Sequence, residues 1–519
     1  MTNHKLPAWT AAELPEPTPL SWKNWASFIG PGIVMMGIQI GGGEWLLGPA
    51  ITAKYGGGLM WIATAAIVFQ VFYNLECGRY ALYCGEPVFT GFMRCAPGPT
   101  FWVGLMLCLN VSALVPGLST HAAAMIASLY LDRPPTIDDK WLITPLAYAC
   151  LLGVALPVLL GGKIYNVLQG VMTVKVIVVL GFCLILGVTC VSPESWGNVF
   201  SGFVKFGNVP VDDGHGGEVV ANGFLHLWEH GEWPVMSTAS LIAIGAFAGY
   251  AGGGGLANST YSNFVRDKGW GMGSQVGAIP SAVGGRSVTL SHVGKVFELT
   301  TDNLRRWRGW WRYVLTDQLL VWAPGCFMGM ALPALLSMQF AQYSTISYEQ
   351  AGMAQALITA DGLRHAVGFS PVMAKVLWIA AILTGLMVML PSQMSIVDDF
   401  SRRWTDAIWS ANRRVRESMQ AHQVKYIYYG ILGTYVLWSF VCAFLFSNAP
   451  RLMTDFIANC NNLALGVTSF QLLWLNRTLL PPELRPRWYQ SAGVLGCGVF
   501  YLGLTALVFW FKIWPMISQ

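Results

Sequence analysis

Charged residues are scarce in this sequence. Only 11% of its 519 residues are Asp, Glu, Lys or Arg, whereas 54% are hydrophobic and the mean hydropathy is +0.49. Soluble domains carry about a quarter charged residues, so this composition argues against a soluble protein and predicts an all-α integral membrane protein. The net charge of +5 is small. We interpret this charge as a signal of membrane topology. The expected partner is therefore the lipid bilayer, and binding to nucleic acid is not expected.

Other missing features narrow the class further. The 11 cysteines form neither a metal-ligand spacing nor a disulfide framework, and residues 1–25 lack the apolar core of a cleavable signal peptide. The sequence has no Walker motif, no filter-like motif and no cluster of nucleophile and base. We therefore expect no pump, channel or enzyme, no cofactor and no metal site. His226, Glu229 and His230 match an inverted zinc-peptidase pattern, but without an evident third ligand we interpret them as part of a loop.

Long hydrophobic runs, in contrast, are frequent. Apolar runs of about 20 residues are membrane-span candidates. Eleven are predicted, at about 27–52, 57–83, 101–130, 142–161, 164–190, 235–262, 312–337, 371–398, 424–447, 452–475 and 488–514.

The basic residues predict the orientation of these spans. They fall in alternate connections, at 79–94, at Lys163, and within 263–311, 402–416 and 477–487, whereas the connection 191–234 carries mainly acids. Because cytoplasmic loops are enriched in Lys and Arg, the N-terminus is expected in the cytoplasm and the C-terminus outside, in a plasma (inner) membrane. The predicted divisions are a cytoplasmic segment 1–26, spans 1–5 at 27–190, an extracellular loop 191–234, spans 6–9 at 235–447 and spans 10–11 at 448–519.

Two glycine runs interrupt the apolar segments. Gly41, Gly42 and Gly43 precede Glu44 in the first span, and the run 252–255 lies in the sixth. Glycine costs about 1 kcal/mol in a helix relative to alanine, and broken spans in corresponding halves of a membrane protein indicate a transporter's substrate site. The alternative is that these glycines only kink the helices or allow close helix packing, in a membrane protein that does not transport a substrate.

Several motifs give the chain a resemblance to the Nramp (natural resistance-associated macrophage protein) family of divalent-metal transporters. They are Gly30-Pro31-Gly32 before the first break, Glu76-Cys77-Gly78-Arg79, Gly162-Lys163, Asp317, and Ser392-Gln393 followed by Val397-Asp398-Asp399-Phe400. The resemblance implies a LeuT-type fold, in which two five-helix inverted repeats are followed by one extra span and spans 1 and 6 are unwound. It also implies secondary transport of a small ion by alternating access, with H⁺ or Na⁺ coupling.

The departures from that family change the expected substrate. Gly41 stands where the family has its metal-binding Asp, Glu44 where it has Asn, and no Met-Pro-His occurs in span 6. Two half-helix N-termini and small residues then favour a small anion such as bicarbonate. The predicted substrate-binding residues are Gln39, Gly41, Gly42, Gly43, Glu44, Trp45, Gly253, Gly254, Gly255, Leu256, Asn258, Ser259 and Tyr261.

Two charged residues inside the spans leave alternatives open. Glu44 fits a ligand for Mg²⁺ or Mn²⁺, a proton carrier, or an acid that caps the second half-helix. Lys175 lies near the middle of span 5, where some relatives of this fold place a lysine in the position of a coupling sodium; it fits either that coupling role or a structural ion pair.

Overall fold

The computed structural model describes residues 6–114, 117–160, 162–212, 215, 217–283, 287–346, 352–445 and 450–514, and it is mostly α-helical. Helix occurs in the described part of each of the eleven predicted segments; residues 115–116, 161 and 446–447 of the predicted spans lie outside the described residues. In chain order the spans are Pro31–Gln39 with Gly43–Leu47 and Gly48–Tyr55 (span 1), Trp61–Cys84 (span 2), Pro99–Leu109 with Val111–Leu114 and Leu118–Leu131 (span 3), Lys140–Ala155 (span 4), Ile164–Cys190 (span 5), Thr238–Tyr250 with Gly255–Thr260 and Tyr261–Lys268 (span 6), Thr301–Thr316 with Asp317–Trp322 and Ala323–Phe340 (span 7), Pro371–Ala411 (span 8), Val424–Leu445 (span 9), Pro450–Leu479 (span 10) and Trp488–Val508 with Phe509–Ile513 (span 11).

Not all of these helices are apolar enough to be recognised as membrane spans on their own. In the described parts of the chain, eight are long and apolar enough to cross a membrane, or nine if the pair Pro31–Leu59 and Trp61–Cys84, which is bent by 96°, counts as one span. Span 10 does not qualify, because asparagines such as Asn459, Asn461 and Asn462 lower its hydropathy. Its polar residues contact the break in span 6.

Spans 6, 7 and 8 are longer than predicted. Span 6 continues to Lys268 instead of ending at 262, and span 8 continues to Ala411 instead of ending at 398. Span 7 begins at Thr301 instead of at 312. The prediction followed hydropathy and therefore stopped at the first charged residues. These helical turns persist because Trp307 and Trp310 pack into the core and the charges of spans 6 and 8 pair with one another.

The connections collect on two opposite faces of the helix bundle. On one face, strand β1 (Thr10–Ala11) pairs in parallel with strand β4 (Lys295–Val296), so the N-terminal segment joins the connection between spans 6 and 7. The connections 4–5 and 8–9 join the same face, since Ser281 N–H donates to the Gly162 carbonyl (3.3 Å) and Leu290 N–H to the Ala421 carbonyl (3.3 Å). We call this the N-terminal face; it carries the basic connections.

The opposite face carries an antiparallel hairpin, strands β2 (Asn208–Asp212) and β3 (Glu218–Asn222), and we call it the hairpin face. The hairpin packs on the start of span 2, where Trp61 Nε1 donates to the Asn208 carbonyl (2.8 Å). The remaining short helices are Trp22–Asn24, Trp25–Phe28, Gly56–Leu59, Val88–Arg94, Ile137–Asp139, Pro157–Leu159, Pro193–Gly202, Gly223–His230, Gly273–Val276, Ala341–Tyr343, Gly352–Leu357, Ile358–His365, Arg413–Ser418 and Pro482–Leu484.

Candidate functional site

Span 1 is interrupted at Ile40 and Gly41, a shorter break than the predicted unwinding over residues 41–43. The first half-helix ends where Ile40 adopts ψ 75°, and Gly42 is already helical (φ −61°, ψ −35°). Trp45 N–H donates to the Gly41 carbonyl (3.0 Å), which restarts the helix. Gly43 serves close packing instead of unwinding, because a Cβ there would lie 2.5 Å from the Tyr250 carbonyl oxygen of span 6.

Glu44 caps the second half of span 1. Gly41 N–H donates to its Oε2 (3.1 Å), and because Gly41 occupies the cap position, Glu44 is the third helical residue, as in half of a capping box. An acid there also complements the positive end of the helix dipole. Its other oxygen, Oε1, is buried without a hydrogen-bond partner among the described residues.

The break in span 6 coincides with the predicted glycine run. Gly252, Gly254 and Gly255 have φ of 81°, 63° and 56°, in the left-handed region that glycine adopts without steric cost. Gly253 does not have a positive φ, but it is tightly enclosed by side-chain atoms. Span 6 therefore opens its backbone at this level before the turn Gly255–Thr260 begins.

Gln70 of span 2, which the sequence analysis did not identify, holds this open backbone in place. Its Nε2 donates to the Ala251 carbonyl (2.7 Å), and its Oε1 accepts from Gly253 N–H (2.7 Å) and from Asn258 Nδ2 (2.9 Å). Two of the unwound segment's backbone groups are thus satisfied by one buried amide, as a membrane interior requires.

Gln39 approaches the same position from span 1. Its Oε1 accepts hydrogen bonds from Trp322 Nε1 and from Cys326 Sγ (3.1 Å). Because an indole N–H can only donate, this contact requires the oxygen of Gln39 on that side and its Nε2 on the other. The Nε2 is buried and has no hydrogen-bond partner within the described structure.

A cavity of about 120 Å³ lies between the two breaks. This exceeds the roughly 10–15 Å³ that one water needs, and it suits a solute of a few heavy atoms. Spans 3, 8 and 10 complete its wall. Seven of the predicted residues line it, namely Gln39, Gly41, Gly42, Gly43, Gly253, Gly254 and Leu256.

The other six predicted residues lie around the cavity and do not line it. Glu44 caps the helix, Trp45 Nε1 donates to the Ala356 carbonyl (3.3 Å), and Gly255 lies against the side chain of Asn461. Asn258 donates to Gln70, the hydroxyls of Ser259 and Tyr73 are hydrogen-bonded to each other (2.6 Å), and the hydroxyl of Tyr261 donates to Asp317 (2.9 Å).

An ion pair lies at the edge of the cavity. Asp399 and Arg403, one helical turn apart on span 8, both line it and pair through Oδ2 and Nη2. The hydroxyl of Thr260 also donates to Asp399. The acid is thereby engaged, whereas Nη1 of Arg403 is buried without a hydrogen-bond partner in the described residues.

Lys175 contacts a serine and not an acid. Its Nζ donates to Ser392 Oγ (2.5 Å), and no ion pair involves it in the part of the chain that the structure describes. Ser392 lines the cavity and lies against the Ile38 carbonyl (3.4 Å). The lysine thus links span 5 through span 8 to the end of the first half-helix of span 1.

Sequence reasoning missed Gln70 and Arg403 for different reasons. Gln70 lies in the middle of an apolar helix, and a buried glutamine there was a signal that its amide satisfies something polar. Arg403 was assigned to a cytoplasmic loop because span 8 was ended at residue 398. Its spacing of four from Asp399 was the available signal for a helical ion pair.

An acid outside the spans fastens the hairpin. Lys54 and Tyr55, at the end of span 1, contact Glu218 Oε2 at 2.8 and 2.7 Å, and Ser237 and Ser240, at the start of span 6, donate to Oε1. Partial burial would raise the pKa of Glu218, but the hydrogen bonds from Lys54 and the two serines outweigh it and lower the pKa to about 2. The hairpin is therefore held by an ionised carboxylate that bridges the ends of both broken spans at the hairpin face.

The histidines of the zinc-peptidase-like pattern stack on one another. The ring centroids of His226 and His230 are 4.3 Å apart on the helix Gly223–His230. Within the described residues, no group of three or more His, Cys, Asp and Glu side chains is placed to hold a metal ion.

A buried ion network closes the N-terminal face. Asp267, on the second half-helix of span 6, accepts from Arg266 Nε (2.8 Å) and from Arg402 of span 8. Arg402 also pairs with Asp398 (3.0 Å), and Arg266 with Asp406 (2.6 Å). These contacts bind the second half of span 6 to span 8, so the half-helix cannot move relative to span 8 without breaking them.

Comparison with known proteins identifies the fold but not a family. No protein-family model and no curated protein matches the chain. Among solved structures, the Eremococcus coleocola manganese transporter, in complex with an aromatic bis-isothiourea substituted compound, is similar over 98% of this chain and 99% of its own, with a TM-score of 0.56 and 12% sequence identity. MhsT in complex with L-phenylalanine is similar over 95% of this chain and 100% of its own, with a TM-score of 0.51 and 13% identity.

The broken spans and these similarities define an all-α, multi-pass integral membrane protein of the LeuT-type fold. This confirms the fold class that the sequence predicted. The sequence identities of 12% and 13% are low, so the likeness to the manganese transporter and to MhsT extends to the fold alone.

Proposed function

We propose that this protein is an Nramp-related secondary transporter that moves a small anion, such as bicarbonate, across the membrane by alternating access. The observation that carries the proposal is the cavity of about 120 Å³ between the breaks of spans 1 and 6. Substrate sites of secondary transporters lie where discontinuous helices meet near the middle of the membrane. The transporter function of the proteins with similar folds supports the same interpretation.

The polar groups of the cavity favour an anion. Its carboxylate, Asp399, is already engaged by Arg403 and Thr260, and the nearby Glu44 is engaged by Gly41 N–H. The groups left over include two donors, Gln39 Nε2 and Arg403 Nη1. Buried donors lacking a partner cost free energy until an acceptor reaches them, and the oxygens of a small anion are such acceptors.

Coupling is assigned to Lys175 and Glu44. Lys175 occupies a buried position on span 5 and contacts Ser392 at the wall of the cavity. A charged group in this position is costly and indicates a role in ion or proton movement. We therefore propose that H⁺ or Na⁺ coupling acts through the Lys175–Ser392 contact and through Glu44, both of which lie beside Gly41.

A divalent cation is the second candidate, and one observation favours it. Glu44 Oε1 is buried and has no hydrogen-bond partner among the described residues, so it is able to ligate Mg²⁺ or Mn²⁺ together with carbonyls of the break. Under this alternative, uptake of the metal would depend on Glu44, and small anions would not compete.

We also propose that the N-terminal face is cytoplasmic, because it carries the basic connections, and that the C-terminus lies outside. The hairpin, fastened to the outer ends of spans 1 and 6 through Glu218, then serves as an extracellular lid. The plasma (inner) membrane remains the proposed location.

Uptake into proteoliposomes tests the function. Purified protein is compared for ¹⁴C-bicarbonate, Mg²⁺ and Mn²⁺ uptake under imposed pH and Na⁺ gradients. Saturable bicarbonate uptake is expected. It should persist in Glu44→Gln, which keeps an oxygen to cap Gly41, but with a weaker response to the imposed gradients, because the coupling carboxylate is lost. Gly254→Val, whose Cβ would lie 2.2 Å from the Gly249 carbonyl, should abolish uptake. Gly170→Val, where the first side-chain atom has open space, is the control.

Manganese or magnesium uptake that is lost in Glu44→Gln would instead establish the cation alternative. No uptake of any of these ions, by protein that remains folded, would favour glycines that only allow helix packing.

A further inference from the structure

Two amide groups flank Gly253. Gln39 lines the cavity, as Gly253 does, whereas Asn258 lies directly against Gly253 and outside the lining. A Cβ at Gly253 would lie 2.4 Å from Gln39 Nε2 and 1.7 Å from Asn258 Oδ1. Both atoms are buried, and neither has a hydrogen-bond partner in the described structure. The two unsatisfied atoms therefore meet the same small region, beside a residue that itself lines the cavity.

The chemical identity of both atoms is set by their neighbours. The indole N–H of Trp322 requires the oxygen of Gln39, which leaves its Nε2, a donor, toward Gly253. On the other side, the Ala251 carbonyl and Gly253 N–H fix both ends of Gln70, so Gln70 presents an oxygen to Asn258. Asn258 therefore donates to Gln70 through its Nδ2, and its Oδ1, an acceptor, has no hydrogen-bond partner among the described residues.

Resting on the proposed function, we infer that Gln39 and Asn258 form a donor–acceptor pair that selects a substrate carrying both an acceptor oxygen and a hydroxyl donor. A protonated oxyanion such as bicarbonate satisfies both atoms. A bare oxyanion satisfies Gln39 but leaves Asn258 Oδ1 unpaired, and a halide offers no donor either. A site built to bond a substrate hydroxyl discriminates strongly against the analogue that lacks it, because its buried acceptor is then unsatisfied.

Nitrate provides the matched comparison for bicarbonate. Both are planar, singly charged ions with three oxygens, and they differ in the one hydrogen that bicarbonate donates. Competition against ¹⁴C-bicarbonate uptake in proteoliposomes is measured with nitrate and unlabelled bicarbonate at pH 8. For the unmodified protein, we expect nitrate to inhibit at concentrations at least tenfold higher than bicarbonate.

Two substitutions separate the roles of the pair. Asn258→Leu removes the acceptor together with the Nδ2 bond to Gln70, so the preference for bicarbonate over nitrate, measured as the ratio of their inhibition constants, should fall at least fivefold. Gln39→Glu keeps the oxygen that Trp322 needs but replaces the donor by an acceptor, so both anions should be lost. Nitrate inhibition that is retained in Asn258→Leu also demonstrates that this variant is folded.

Equal inhibition by nitrate and bicarbonate in the unmodified protein would overturn the inference while the proposed anion transport stands. Selectivity that persists in Asn258→Leu would overturn it as well. Absence of uptake or inhibition by either anion would reject the proposed function itself, so the two failures are distinguishable.

Discussion

Gly253 offers a test at the scale of a single methyl group. It lacks the positive φ of its neighbours, so alanine is compatible with its backbone, and the effect of Gly253→Ala comes from the atoms that the new Cβ meets. These are Asn258 Oδ1 and Gln39 Nε2. We expect substrate uptake to fall at least tenfold in proteoliposomes, while thermal stability in detergent falls by only about 1–3 kcal/mol from overpacking.

The control is Gly181→Ala in span 5, where a Cβ meets no atom within 4 Å. It should leave uptake unchanged and is expected to stabilise the helix slightly. Full activity of Gly253→Ala would mean that the space beside Gly253 is not used by substrate.

At the scale of the helices, Lys175 tests how span 5 is coupled to the site. Methionine approximates the shape of lysine but cannot donate to Ser392, so Lys175→Met removes the one hydrogen bond that its Nζ makes among the described residues. We expect a pH or Na⁺ gradient to lose its effect on substrate accumulation, while exchange of labelled for unlabelled substrate continues. Gradient-driven uptake and exchange are measured on the same vesicles.

Lys375→Met is the matched control, because Lys375 lies on span 8 but is exposed and pairs with Asp132 (3.4 Å). Exposed ion pairs contribute about 0–1 kcal/mol, so this variant should behave as the unmodified protein. Gradient-driven accumulation that is normal in Lys175→Met would remove the lysine from the coupling mechanism.

The hairpin element should be released by acid. The pKa of Glu218 is lowered from 4.5 to about 2, so its contacts contribute fully above pH 4.5 and are lost as the pH falls toward 2. Hydrogen exchange of strands β2 and β3 should accelerate between pH 4.5 and pH 2.5, after correction for the intrinsic rate. Glu218→Gln should exchange faster already at pH 6 and lose this dependence; an unaltered profile would show that other contacts hold the hairpin.

These elements differ in how far the sequence predicted them. The glycine run of span 6 predicted a break correctly, since three of its residues need positive φ. The run in span 1 predicted too long a break, because glycine permits unwinding without requiring it, and Gly43 is needed for the approach of Tyr250. The position of Gln70 in an apolar helix was a signal of a polar role, but the partners of Gln70 and Trp322 could not be predicted, because they depend on which amide atoms meet across three helices.

Across the whole molecule, the ion network of the N-terminal face and the Glu218 contacts of the hairpin face lie on opposite sides of the cavity. Both fasten half-helices of the broken spans, through Asp267 and Arg402 on one face and through Lys54 and Ser240 on the other. Alternating access requires that one set of contacts opens while the other holds. A channel would have no such opposition between its two faces.

Asp267→Asn weakens one set selectively. It removes a charge that accepts from Arg266 and Arg402. Because hydrogen bonds to charged groups contribute about 1.5–3 kcal/mol each, the population of molecules open at the N-terminal face should rise about tenfold or more.

The reporter for this opening is Ser395→Cys, because Ser395 lines the cavity but is buried. Labelling with a membrane-impermeant thiol reagent should accelerate from the N-terminal face and slow from the hairpin face. Glu417→Gln, which breaks only an exposed pair with Arg413 on the same face, should change neither rate. Acceleration from both faces at once would identify a pore instead of a carrier.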